Sequence, residues 1–360
     1  CAEDVFGKLY DPNARAKKPE QVLEEKYQAL LQIANPELYK GSPEDKEFAF
    51  EAREKLGKFF EKAKALLEGG FYGARRNDLR PRHASKVLLT TAKRQYHIDT
   101  NDVVGEGTIS TVYGGSCVIG DDLAGKIAIK IADDEEHNDL IVRERRALGL
   151  LHAKNGRARQ HLPVLLDSFQ TTDARAGSIF RHLDEFLSLT QMRDRYGGAE
   201  EERQKHMVWM LNRALGALGY AHDIGIVHTN VEPEHLFFRI RDHNLCIVDW
   251  SWAAILPART ADGFKIFTER FSAPEVKEKK LPTPAADIYS IGKCMIDFLG
   301  GNTETNEMPD HVEDEIQRLL KYLVLESKHQ RAQDAWQMQS FLIKIIERLW
   351  GRTFRAYPLL

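Results

Sequence analysis

The sequence predicts an α+β chain in two lobes, preceded by a separate helical hairpin. Three observations carry this. Apolar residues recur at helical spacing from Glu20 to Leu67; short alternating runs between Gly and Asp turns replace them after Pro81; long helical segments return near Leu187. The expected segments are 1–74 helical, 75–98 a linker leading into the small lobe, 99–186 a β-rich lobe, and 187–360 a helical lobe with a C-terminal tail. With 360 residues and 42% hydrophobic content, the chain is long enough for two or three packed units.

Composition narrows the function classes. A net charge of −3, from 51 basic and 54 acidic residues, gives no global reason to expect a nucleic acid or a membrane surface as partner. Cys1, Cys117, Cys246 and Cys294 are scattered, with no CxxC and no His at metal-ligand spacing, so neither a disulfide framework nor a zinc site is indicated. A reducing cytoplasm fits best. No apolar run approaches the roughly 20 residues a membrane helix needs. A start at Cys1 rather than Met reads as a fragment or a processed chain; a lipid-modified Cys would look the same, but no second membrane signal follows it.

In the first segment, Leu23, Tyr27, Leu30 and Leu31 repeat at helical spacing; Ser42 with Glu44 and Asp45 starts a second helix, and Gly69 and Gly70 stop it. Two antiparallel helices joined at NPELYKGSP are expected, with RRNDLRPR (Arg75 to Arg82) as the first boundary.

The β-rich segment contains GEGTISTV, Gly105 to Val112. Glycines at its first and third positions let a backbone turn approach phosphates with amide donors facing the anion, although a plain hairpin turn has the same composition. KIAIK follows. Ile127 and Ile129 face one way along the strand, which leaves Lys130 on the face of Ala128. In the next helix Glu144 interrupts an apolar stripe of Leu140, Leu148 and Leu151, a costly placement unless it meets a cation, and Lys130 is the candidate.

These motifs resemble the protein kinase family over about Thr100 to Gly351. The expected architecture is then a bilobal protein-kinase-like fold. Gly105, Gly107, Val112, Ala128, Lys130 and Glu144 match its ATP-binding half, with Ser110 where a third glycine often stands. In the helical lobe, VHTNVEPEHLFF (Val227 to Phe238) stands where the family has its catalytic loop. His228 matches the loop-supporting His, and Thr229 replaces the Arg that usually receives an activation-loop phosphate, so Thr260 and Thr268 read as plain loop residues. Asn230 replaces the Asp that accepts the substrate hydroxyl's proton, Glu232 the phosphoryl-steadying Lys, and His235 the metal-binding Asn. An amide has no useful basicity, Glu232 reverses the sign of an electrostatic term, and an imidazole is a poor magnesium ligand. Asp249 survives as the Asp of the metal-binding motif, so one Mg²⁺ is allowed, while Trp250 and Ser251 make that motif read as pinned rather than switching. The resemblance also implies structural roles for Asp287, which supports the loop backbone, and for Glu275 and Arg331, which form an ion pair.

The first segment is similar in layout to a J domain, whose turn carries His-Pro-Asp where this chain has Asn35-Pro36-Glu37, and an unrelated helical hairpin used for docking is the alternative; Lys8, Lys17, Lys18 and Lys26 read as a basic face or as a plain solvated surface. Three functions are open: an ATP-binding pseudokinase acting through unidentified protein partners, a weakly active or atypical kinase or other nucleotide-dependent transferase, and a chaperone adaptor with a degenerate J domain. The exchanged loop favours the first.

Overall fold

The computed structural model describes residues 2–7, 9, 18–38, 43–68, 72, 76–77, 86–91, 93–119, 122–154 and 156–351. Cys1, Lys8, Lys17, the Ser42 start signal, the Gly69–Gly70 stop and most of the Arg75 to Arg82 boundary lie outside these residues. The chain divides into two compact units, Cys1–Val142 with Leu166–Phe180, and Arg143–Leu165 with Arg181–Leu360.

The first unit begins with α1 (Ala2–Phe6), α2 (Pro19–Ile33) and α3 (Pro43–Glu68). Pro19 at the first position and Glu20 in the first turn suit the α2 start, since proline lacks the amide hydrogen that would go unbonded there. Leu23 is buried, and Phe6, Tyr27 and Phe60 form an aromatic cluster in which the Tyr27 and Phe60 rings stack with centroids 4.0 Å apart. Between α2 and α3, Pro36–Leu38 form a single 3-10 turn, and Asn35 Oδ1 accepts from the Glu37 amide at 3.1 Å.

A seven-stranded sheet follows in the same unit. Its strands are β1 (Arg76–Asn77), β2 (Lys86–Thr90), β3 (Gln95–Glu106), β4 (Ser110–Ile119), β5 (Asp122–Ala132), β6 (Leu165–Thr171) and β7 (Ala176–Arg181), in the order β1-β6-β7-β5-β4-β3-β2. One face is apolar: Leu89, Tyr96, Ile98, Cys117, Ile127, Ile129, Ile131, Phe169 and Ile179 make one buried cluster. The isoleucines alternate along β5 because successive side chains of a strand point to opposite faces. Helix α4 (Asn138–Ala153) interrupts the strand series after β5 and crosses into the second unit at Arg143.

The second unit is mostly helical. It holds β8 (Phe186–Ser188), α5 (Leu189–Asp194), α6 (Glu200–Ile224), β9 (Ile226–Val227), β10 (Leu236–Arg239), β11 (Asn244–Ile247), β12 (Ala254–Ile255), α7 (Pro257–Thr260), α8 (Pro274–Lys277), α9 (Pro284–Phe298), α10 (Asp314–Leu323) and α11 (Ala335–Trp350). Three acidic residues open α6, and Gly225 ends it in the left-handed conformation at φ 84°, so the chain reverses directly into β9 and the loop beyond. Helix α9 is buried from Ala285 to Phe298, which makes it the axis on which that loop rests. Among the described residues no helix is long and apolar enough to cross a membrane, and Cys117, Cys246 and Cys294 are free and buried thiols.

Candidate active site

Strand register brings the first-unit residues together. Gly105 pairs with Val112 across β3 and β4, and Val112 with Lys130 across β4 and β5. Paired residues of antiparallel strands share a face, so Gly105, Val112, Ala128 and Lys130 lie together opposite the isoleucine cluster. Lys130 is 6% exposed. The Gly107 amide donates to the Ser110 carbonyl at 3.0 Å and closes the hairpin, while a side chain added at Gly105 would meet nothing within 4 Å. An open glycine edge beside a strand lysine fits the phosphates of a nucleotide.

In the second unit the loop 227–238 is held from below by Asp287. Its carboxylate accepts from the amides of His228 and Thr229, both at 2.8 Å, and lies 2.9 Å from His222 Nε2. Thr229 needs that grip, because it stands at φ 66°, a region β-branched residues rarely adopt; its hydroxyl also donates to the Trp252 carbonyl at 2.8 Å. His228 is fully buried, and burial pushes its pKa down to about 4 against the opposing pull of Asp287. The neutral ring donates from Nε2 to the Val248 carbonyl at 3.0 Å and accepts the Asn230 amide on Nδ1 at 3.3 Å.

Asn230, Glu232, His235 and Asp249 converge in this unit. The His235 ring is their centre: Nδ1 lies 2.9 Å from the Asn230 carbonyl and 3.3 Å from Glu232 Oε1, and Nε2 lies 3.5 Å from Asp249 Oδ2. Burial raises the Glu232 carboxyl above its usual range; His235 opposes the rise, Glu234 adds to it, and a hydrogen bond with the Thr268 hydroxyl lowers it. Asp249 is left-handed, at φ 59°. The residues present do not fit magnesium. Of the two positions that the resemblance assigns to the metal, only Asp249 offers oxygen, and its carboxylate faces an imidazole nitrogen.

Trp250 is fully buried; its indole N–H donates to the Ile247 carbonyl at 2.8 Å and its ring meets His228 edge-on at 4.6 Å. The Trp250 amide donates to Glu144 at 3.1 Å, and the Ser251 hydroxyl donates to the other Glu144 oxygen at 3.5 Å. These two partners of Glu144 were not among the sequence expectations, nor was the link from Thr268 to Glu232. A hydroxyl in place of a glycine was the one available sign for Ser251. Arg143, the residue before Glu144, pairs with Asp262 of the segment after α7.

Farther from the loop, Arg331 is wholly buried and bidentate on Glu275, at 2.7 and 3.1 Å. Its remaining donors reach the Leu325, Ala285 and Glu326 carbonyls, so no part of the buried charge lacks a partner.

Comparison with known proteins agrees with this frame. Residues 98–354 match the family model described as "Protein kinase domain". The chain is similar to serine/threonine-protein kinase PknK of Mycobacterium tuberculosis, 26% identical over 241 residues, which is 64% of this chain and 19% of that protein. Serine/threonine-protein kinase PkaB of Streptomyces coelicolor is 26% identical over 218 residues, 56% of this chain and 48% of its own length. Serine/threonine-protein kinase ppk34 of Schizosaccharomyces pombe is 34% identical over 82 residues, 21% of this chain and 22% of its own. The chain therefore spans less than half the length of these relatives. From the sheet with its glycine hairpin and strand lysine, through the Asp287-held loop, to the match over residues 98–354, the chain belongs to the protein kinase family.

Proposed function

We propose that this chain is a pseudokinase: it binds ATP, is impaired in transferring the γ phosphate, and acts by holding protein partners. The observation that carries the reading is the group of Asn230, Glu232 and His235 at the loop. Asn230 has no base to offer, and Glu232 sets an acid where a cation should steady the phosphoryl group. His235 is committed to the Asn230 carbonyl and two carboxylates. ATP would set its phosphates against the Gly105–Val112 hairpin and Lys130, which would bind and orient them. The burial of Trp250 and the two hydrogen bonds to Glu144 support a pinned motif at Asp249–Ser251.

A thermal-shift titration with ATP, beside a radiolabelled phosphoryl-transfer assay, tests the reading. The expected outcome is an ATP-dependent rise in melting temperature that Lys130→Ala abolishes, with no transfer above background. Lys130-dependent transfer to protein would favour the alternative, a weakly active kinase or other nucleotide-dependent transferase. For the N-terminal helices the reading is a docking module, J-like in layout or an unrelated helical hairpin. The Asn35-Pro36-Glu37 turn lacks the His and Asp of the chaperone-stimulating motif, so no stimulation of a heat-shock ATPase is expected.

A further inference from the structure

His235 does more than fail as a metal ligand. Oxygen acceptors face both of its ring nitrogens: the Asn230 carbonyl and Glu232 at Nδ1, and Asp249 at Nε2. Glu232 and Asp249 thus face one imidazole, Glu232 at Nδ1 and Asp249 at Nε2. The frame around the ring is fixed by the His235 amide on the Glu232 carbonyl at 3.0 Å and the Val248 amide on the His235 carbonyl at 3.0 Å. Both the ring and Glu232 are mostly shielded, at 17% and 20% side-chain exposure, so water competes little with these contacts. Magnesium demands near-octahedral oxygen ligands at about 2.0–2.1 Å and dehydrates reluctantly. To reach Asp249 it would have to displace a ring that the loop backbone holds.

We infer that His235 shuts this centre to divalent cations, so that the nucleotide of the proposed function, on which this inference rests, is taken metal-free. The imidazole engages the Asp249 carboxylate in place of the ion, and nitrogen takes the position where the metal needs oxygen. Exchange for an amide would take the imidazole away from both the Asp249 and the Glu232 carboxylates.

The test uses the full chain and its His235→Asn variant, matched by melting temperature. Mn²⁺ binding without nucleotide is followed by electron paramagnetic resonance, and ATP affinity is measured by calorimetry in EDTA and in magnesium chloride. The wild type should leave Mn²⁺ free and bind ATP equally in both buffers. The variant should bind Mn²⁺ and gain about tenfold in ATP affinity with magnesium, the order by which a shell residue changes metal affinity. Mn²⁺ bound by the wild type, Mn²⁺ left free by both chains, or a tenfold magnesium gain in the wild type overturns the inference. If neither chain binds ATP in either buffer while only the variant binds Mn²⁺, the nucleotide reading falls and the exclusion of metal stands.

Discussion

At the scale of single residues, the loop's exchanges were legible because identity alone decides basicity and charge: Asn230 and Glu232 change what the position can do wherever their atoms lie. What those residues touch was not legible. Nothing in VHTNVEPEHLFF says that His235 turns back onto the Asn230 carbonyl or that Thr268, more than thirty positions on, reaches Glu232. His228 shows the same division. Its supporting role followed from the motif, but its protonation state comes from burial. In the unfolded chain the ring titrates near 6.5, and in the folded chain near 4. Between those values the unfolded chain binds a proton that the folded one refuses, so this contribution is complete above pH 6.5 and is lost as pH falls towards 4. It amounts to something on the order of 3 kcal/mol. Urea titrations across that window should show a falling midpoint in the wild type and a flatter profile in His228→Gln.

At the scale of elements, helical periodicity located α2 and the return to helix near Leu187, yet gave no sign of which faces meet. The α6–α11 contact turns on two glycines. A Cβ at Gly219 would lie 2.8 Å from the Trp336 ring, and one at Gly216 would lie 2.8 Å from Gln339 Nε2. A helix interior glycine ordinarily weakens the helix, and here it admits an indole against the backbone. Gly219→Val should therefore lower stability by about 1–3 kcal/mol in chemical denaturation, through overpacking against Trp336. Gly149 of α4 is the contrast: an added Cβ meets nothing within 4 Å, and Gly149→Ala should stabilise by about 0.5–1 kcal/mol.

At the scale of the whole molecule, the family resemblance was carried by motifs spread over some 230 residues, from Gly105 to Arg331, and the anchors are better kept than the chemistry. Arg331 on Glu275 and Asp287 under the loop hold architecture without any demand on transfer. If the proposed impairment of transfer lies in the loop, the combined variant Asn230→Asp, Glu232→Lys, His235→Asn should recover measurable phosphoryl transfer that Lys130→Ala removes again. Radiolabel incorporation would check it. A combined variant that stays inactive while folded would move the defect to Trp250 and Ser251.

The sequence by itself determined the family, the order of helical and β-rich segments, and the presence of Asn230 and Glu232 where the resemblance expects an Asp and a Lys, since each depends on residue type and spacing. Tertiary structure alone decided the partners. Glu144 meets the Trp250 amide and the Ser251 hydroxyl, and His235 stands between Glu232 and Asp249. The Glu144 pairings join residues 106 and 107 positions apart, and the chain passes through positive φ at Thr229 and Asp249, which residue type there does not announce. Tertiary contacts hold the loop there, as the Asp287 carboxylate does on the Thr229 amide, and no local pattern in the sequence records their geometry.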